Sequence, residues 1–214
     1  MGNIQNRFFG GELVQSKNMK LSVVIQAGGE SRRMGQNKAL LPFMGQSLIE
    51  RVISRIKAIS DEIIITSNDP GLFDFLHVPV FADLVPGRGA LSGLFTAFSI
   101  AHTPLVAVVA CDMPFVSTQL LEAQVELLIK QNMDGIVPRH DNGTEPFHAV
   151  YRREECREAV KASLDLEHRR VDSWFPTVRM GYMEREDIMR YDPSGHAFFN
   201  INSPEDYRRA IEIA

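Results

Sequence analysis

The sequence predicts an α/β domain on a mostly parallel sheet, and three observations carry that reading. Short β-branched runs alternate with longer stretches of helical periodicity from Leu21 onward. The run Leu105 to Ala110 (LVAVVA) is strand-sized and continuously apolar, the pattern of a strand covered on both faces. The first run, Leu21 to Gln26 (LSVVIQ), opens directly into a glycine-containing loop, the place where open α/β sheets bind ligands.

The elements follow in order. After the first strand, Ser47-Leu48-Ile49-Glu50 matches a capping box, and Ile49, Val52, Ile53, Ile56 and Ile59 recur at helical spacing. Glu62 to Thr66 (EIIIT) is the second strand and Val80-Phe81 a short third. Gly89 to Ala101 reads as a buried helix entered through a Pro/Gly-rich turn, and Asp112 sits just past the carboxyl end of the LVAVVA strand. A helix over about 117–131, a strand near 135–138, a polar loop over 139–145, a strand over 147–151 and a helix over 153–163 complete the middle. Ser203 as N-cap, Pro204 at the first helical position and Glu205-Asp206 in the first turn start a terminal helix. Residues 1–18, ahead of Met19, read as a disordered leader, and 19–214 as one domain.

Composition narrows the function. The 214 residues are 44% hydrophobic and 23% charged, which is globular, and a chain of this length buries roughly 70% of its unfolded surface without needing disulfides or metal. Lys plus Arg is 23 against Asp plus Glu 27, so no global electrostatic footprint for nucleic acid or an anionic membrane exists, and any anion site is local. Two cysteines, Cys111 and Cys156, form neither a disulfide framework nor a zinc set and suit a reducing compartment, so the cytoplasm is expected. The longest apolar stretch, Leu105 to Cys111, falls far short of a bilayer span.

The loop after the first strand, residues 28–38 (GGESRRMGQNK), fits neither the dinucleotide-binding nor the P-loop glycine pattern. It still offers glycines that let backbone N–H groups approach an anion, and Arg32, Arg33 and Lys38 against Glu30 make it locally basic. A solvated basic loop would share that composition.

The run QAGGESRRMGQNKALLPFMGQSLIER resembles the L-A-G-G-x-S-x-R-M-G-x-D/N-K signature of nucleotidyltransferases that act on molybdenum cofactor, in the guanylyltransferase-like version with Ala27-Gly28-Gly29. The resemblance extends through Cys111-Asp112-Met113-Pro114-Phe115, which is similar to the family's C-D-x-P-F run, through Glu167-His168-Arg169-Arg170-Val171, and through Phe199-Asn200-Ile201-Asn202-Ser203-Pro204-Glu205. It departs at Gln26, where the family usually has leucine, and at Glu145, where histidine often precedes the proline.

The resemblance implies a three-layer, Rossmann-like nucleotidyltransferase fold and transfer of GMP from MgGTP to molybdenum-loaded molybdopterin, with release of pyrophosphate. It implies Lys38, Asp112 and Arg33 as catalytic residues, with Asp112 holding Mg²⁺. It places the nucleotide on Gln26, Ala27, Gly28, Gly29, Lys38, Asn68, Asp83 and Asp112, and the second substrate on Asn200, Asn202 and Arg170. Read alone, Asp112 could equally cap a turn before Pro114, and Asn68 and Asp83 fit turn positions. Arg139 and His140 are further second-substrate candidates that also fit a solvated loop. Molybdoenzymes or their chaperones would receive the product. Two alternatives stay open: a related nucleotidyltransferase using CTP or a sugar phosphate, and a protein that delivers the cofactor without turnover.

Overall fold

The computed structural model describes residues 20–28, 37–141 and 143–214. The expected leader, and Gly29, Arg32 and Arg33 of the basic loop, lie outside the described residues.

The chain begins with β1 (Leu21–Gln26), resumes at a 3₁₀ turn over Lys38–Leu40, and makes a small hairpin of β2 (Pro42–Phe43) and β3 (Gln46–Ser47). Met44 and Gly45 at the hairpin tip both take positive φ, 52° and 82°, which gives a two-residue turn its right-handed twist. Helix α1 (Leu48–Ile56) follows, then β4 (Glu62–Thr66), a 3₁₀ segment over Pro70–Leu76, β5 (Val80–Phe81), α2 (Ala90–Ile100) and β6 (Leu105–Ala110). The remainder is α3 (Thr118–Gln131), β7 (Gly135–His140), β8 (Gly143–Thr144), β9 (His148–Arg152), α4 (Arg153–Asp165), β10 (Met180–Met183), α5 (Arg185–Tyr191) and α6 (Pro204–Ile213).

The predicted capping box at Ser47 is present in both directions: the Ser47 hydroxyl accepts from Glu50 N, and the Glu50 carboxylate accepts from Ser47 N. Helix α1 stops at Ile56, short of Ile59, whose N–H closes a tighter turn on the Ile56 carbonyl. The expected polar loop over 139–145 is instead largely strand. β7 runs on to His140 and folds back onto β8, with Arg139 opposite Thr144 and His140 opposite Gly143, whose φ of 127° favours glycine.

The sheet order is β10-β7-β9-β6-β1-β4-β5, with β8 paired on β7. Pairs β5–β4, β4–β1, β1–β6 and β7–β10 are parallel, as alternating strands and helices predict. β9 is antiparallel to both β6 and β7, because a short hairpin-like return rather than a helix brings it from β7. Residues on the central strands alternate between two cores. Val23, Ile25, Ala107 and Val109 pack with Ile49, Val52 and Leu120 from α1 and α3, while Val24, Val106 and Val108 pack with Leu94, Phe98 and Val160 from α2 and α4. That is three layers. Among the described residues no helix is long and apolar enough to cross a membrane.

The chain runs from β1 outward through β4 to β5, then returns through α2 to place β6 on the other side of β1. The direction of winding reverses between β1 and β6. Gln26 and Ala110, the last residues of the two strands, are register partners, so a crevice opens beyond them.

Candidate functional site

That crevice is a cleft of about 710 Å³. Gln26, Ala27 and Gly28 enter it from β1, and Ala110, Cys111 and Asp112 from β6. The two strand ends stay clamped together beyond the ladder, since Cys111 N donates to the Gln26 carbonyl at 3.1 Å. Asp112 is therefore held at the mouth rather than left on a free loop. Its own carbonyl accepts from Ile201 N at 3.0 Å, which ties the segment before α6 to the same place.

Lys38 lines the cleft as well. Asn37 caps its 3₁₀ turn by accepting from Ala39 N at 3.0 Å, and the Lys38 ammonium reaches to 3.8 Å from Asp112 Oδ2. The same Nζ donates to Asn202 Oδ1 at 2.6 Å. Lys38, Asp112 and Asn202 thus form one charge-complementary cluster from three distant parts of the chain. Burial raises the Asp112 carboxyl above its ordinary range, and the nearby Lys38 charge opposes that shift. Burial also pushes up the thiol of neighbouring Cys111, so it stays protonated and inert near neutral pH.

Asn68, Asp83 and Asn200 line the cleft as well. Asn68 lies beside Gly28, where an added β-carbon would meet the Asn68 amide nitrogen at 3.8 Å. Burial alone raises the Asp83 carboxyl. The Asn200 amide donates to the Phe198 carbonyl at 3.0 Å, which fixes its orientation and leaves its oxygen as an acceptor. Gln26 turns its amide toward α2, donating to the Gly93 carbonyl at 2.8 Å.

Arg170 is not brought to this cleft. Its guanidinium is exposed and donates to both Asp172 oxygens, at 3.0 and 2.8 Å, so the second-substrate role expected of it has no geometric support. Arg139 is likewise engaged elsewhere, paired with Glu184 and stacked 4.3 Å over the Tyr182 ring. Arg33 and Gly29 lie outside the described residues.

The structure adds lining that sequence reasoning left out. Gly87 and Gly89, with φ of 79° and 64°, bring the chain into the N-terminus of α2 at the cleft edge, and Ala90 starts the helix there. A helix N-terminus carries unpaired N–H groups and a partial positive charge, so that edge favours an anion. The signal was the Pro86-Gly87-Arg88-Gly89 run, which reads as a turn and says nothing of what it faces. Glu145 and Phe147 form another wall; the Glu145 carboxylate lies 2.8 Å from His140 Nε2, and the His140 ring stacks on Phe198.

No group of three or more His, Cys, Asp or Glu side chains gathers for a metal among the described residues. The Asp112 carboxylate and the amides of Asn200 and Asn202 share the cleft with two further carboxylates, Asp83 and Glu145. That donor set fits Mg²⁺, which takes one or two carboxylates and draws its other ligands from substrate phosphates and water.

Comparison with known proteins agrees with this geometry. Residues 23–178 match the family described as MobA-like NTP transferase domain. The chain is 38% identical over 193 residues to a probable molybdenum cofactor guanylyltransferase of Pelotomaculum thermopropionicum, covering 89% of this chain and 92% of the relative. It is 30% identical over 190 residues to a molybdenum cofactor guanylyltransferase of Desulfosudis oleivorans, covering 87% and 92%. Among solved structures it superposes on molybdopterin-guanine dinucleotide biosynthesis protein A from Archaeoglobus fulgidus with a TM-score of 0.78 and 28% identity, over 90% of this chain and 97% of that one. With the match spanning the β1 loop, Asp112 and most of the sheet, the chain belongs to the MobA-like nucleotidyltransferases, in the molybdenum cofactor guanylyltransferase family.

Proposed function

We propose that the protein transfers GMP from MgGTP to the terminal phosphate of molybdenum-loaded molybdopterin and releases pyrophosphate. The observation that carries this reading is the convergence of Lys38, Asp112 and Asn202 at the switch point between β1 and β6, in a cleft of about 710 Å³. The relatives' names support the choice of GMP and of the pterin.

In this reading an oxygen of the molybdopterin phosphate forms a bond to the α-phosphorus of GTP, the bond from that phosphorus to the bridging α–β oxygen breaks, and pyrophosphate leaves with the electron pair. The attacking phosphate is already ionised at neutral pH, so no protein nucleophile or base is required. Lys38 opposes charge growing on the leaving pyrophosphate, and the backbone about Ala27 and Gly28 with the N-terminus of α2 cradles phosphate oxygens. Asp112 and substrate oxygens would hold Mg²⁺, which when bound neutralises the triphosphate. Asp83 and Asn68 offer acceptors to guanine N1–H and the 2-amino group. Asn200, Asn202 and Glu145 face the second substrate, and product passes to molybdoenzymes or their chaperones. We place the protein in the cytoplasm as one catalytic domain over residues 19–214.

The test is pyrophosphate release from GTP, CTP, ATP and UTP, each with Mg²⁺ and molybdenum-loaded molybdopterin, beside a sugar 1-phosphate control. Release with GTP and the pterin alone is expected. Release with CTP or the sugar would keep the mechanism and overturn the named substrates.

A further inference from the structure

We infer that the Glu145 carboxylate is the specificity-determining residue for the second substrate, accepting from the N3–H and the 2-amino group on the pyrimidine edge of its pterin. The assignment rests on the transfer reaction proposed above and names the group that reads the acceptor's ring system rather than its phosphate.

Both substrates of that reaction carry the same hydrogen-bonding edge. Guanine and a pterin each present a ring N–H beside an exocyclic amino group, a pair of donors that a carboxylate matches with its two oxygens. The cleft holds two carboxylates besides Asp112. Asp83 follows β5 and Glu145 precedes β9, and the sheet order β9-β6-β1-β4-β5 puts those two strands on either side of the β6–β1 switch point. Four strand spacings separate β5 from β9, about 19 Å. The Phe147 carbonyl accepts from Ala110 N at 3.0 Å, which fixes the approach to β9 at the same edge of the sheet as Asp112. A product with a ring system at each end, laid across the strand ends with its phosphates at the switch point, meets one carboxylate on each side. Among the described residues the acidic side chains do not gather into a group of three for a metal, so Glu145 is not drawn into such a cluster with Asp83 and Asp112.

The surroundings of Glu145 suit a flat ring. Its side chain is 20% exposed; Oε1 accepts from His140 Nε2 at 2.8 Å, and Oε2 has no hydrogen-bond partner among the described residues. Each carboxylate oxygen carries two lone pairs, so both oxygens can still accept. The His140 ring stacks on Phe198 with centroids 5.8 Å apart, and the Phe198 carbonyl accepts from the Asn200 amide, so Glu145 and Asn200 share one support. Phe147 adds an apolar side chain to the lining two residues on. A carboxylate held this way rejects a ring whose edge presents a carbonyl in place of the amino group, because two acceptors would then face each other.

The experiment titrates the intact protein, first alone and then saturated with GMP, with two fluorescent probes: pterin, and lumazine, which carries a carbonyl at position 2 in place of the amino group. Pterin is expected to bind about tenfold or more tightly than lumazine. Glu145→Gln should weaken pterin by a similar factor and reverse the preference, because a glutamine amide accepts from N3–H and donates to the lumazine carbonyl. Weakening of both probes alike would mark a structural role and overturn the assignment. Equal affinities in the unaltered protein, or no binding of either probe, overturn it even if the variant does not fold. Displacement of pterin by GMP would also overturn it, by placing the probe on the guanine side. The titration needs no turnover, so the two failures stay separate: pyrophosphate release with a sugar acceptor alone overturns the underlying reaction, whereas release with the pterin acceptor and a probe preference indifferent to Glu145 overturns this assignment only.

Discussion

Gln26 occupies the space that a β-carbon on Gly93 would need. Its amide donates to the Gly93 carbonyl at 2.8 Å, and a β-carbon built on Gly93 would lie 2.9 Å from Gln26 Cδ. The end of β1 and the first turn of α2 thus fit together through one glycine, at the point where both meet the cleft.

Gly93→Ala should therefore destabilise the fold by about 1–3 kcal/mol through overpacking, with the Gln26 side chain driven off its hydrogen bond. Because the obstructing atoms belong to a side chain, Gln26→Ala should recover much of that loss in the double variant. Urea unfolding of the four proteins measures the coupling, and additive effects would contradict this packing relationship.

Asp112→Ala should abolish turnover, since removing the one carboxylate beside Lys38 removes several kcal/mol of transition-state stabilisation. The fold should survive. Burial already disfavours the charged Asp112, and Lys38 keeps its bond to Asn202. Near-normal activity would remove Asp112 from the chemistry; a thermal scan beside the assay separates lost catalysis from lost structure.

Lys38→Ala should lower the turnover number and weaken GTP binding together, because the ammonium lies where both the ground-state triphosphate and the leaving pyrophosphate would gather charge. Steady-state kinetics with GTP as the varied substrate reads both. An unchanged rate would leave Lys38 as a structural tie to Asn202.

Acid should destabilise the protein partly through His148. This side chain is fully buried, its Nε2 accepts from Ser117 N at 3.1 Å, its Nδ1 has no partner, and burial lowers its pKa from 6.5 to about 4. The unfolded chain takes up the proton first, so the contribution is whole above about pH 6.5 and is lost progressively as the pH falls toward 4. Near pH 4 the loss amounts to about 3 kcal/mol, at about 1.4 kcal/mol per pH unit. Urea unfolding at pH 7 and pH 4.5 should show a smaller acid penalty for His148→Gln than for the unaltered protein.

Much of the fold is legible in the sequence because its signals are local. The LVAVVA run has no solvated face and becomes β6, buried by α1 and α3 on one side and α2 and α4 on the other. Ser47 and Ser203 announce α1 and α6 through capping chemistry within four residues. The antiparallel insertion of β9 depends on a return at Gly143 and on pairing with distant β6, which no local period encodes.

The site divides the same way. Asp112 sits just past β6 and Lys38 ends the basic glycine-containing loop that follows β1, both recognisable from the sequence, whereas their 3.8 Å approach depends on the topology between them. Gly87, Gly89 and Glu145 read as turn residues, and only the packing of α2 and β9 shows which space they face. Arg170 went the other way, because Asp172, two residues on, satisfies its guanidinium at the surface.

The most direct measurement follows the label from α-³²P-GTP and, separately, γ-³²P-GTP after incubation with Mg²⁺, molybdenum-loaded molybdopterin and the protein. Transfer of GMP predicts that the α-label enters a pterin dinucleotide and the γ-label leaves as pyrophosphate. An α-label that never reaches the pterin, or a γ-label released as inorganic phosphate, would contradict nucleotidyl transfer to this acceptor.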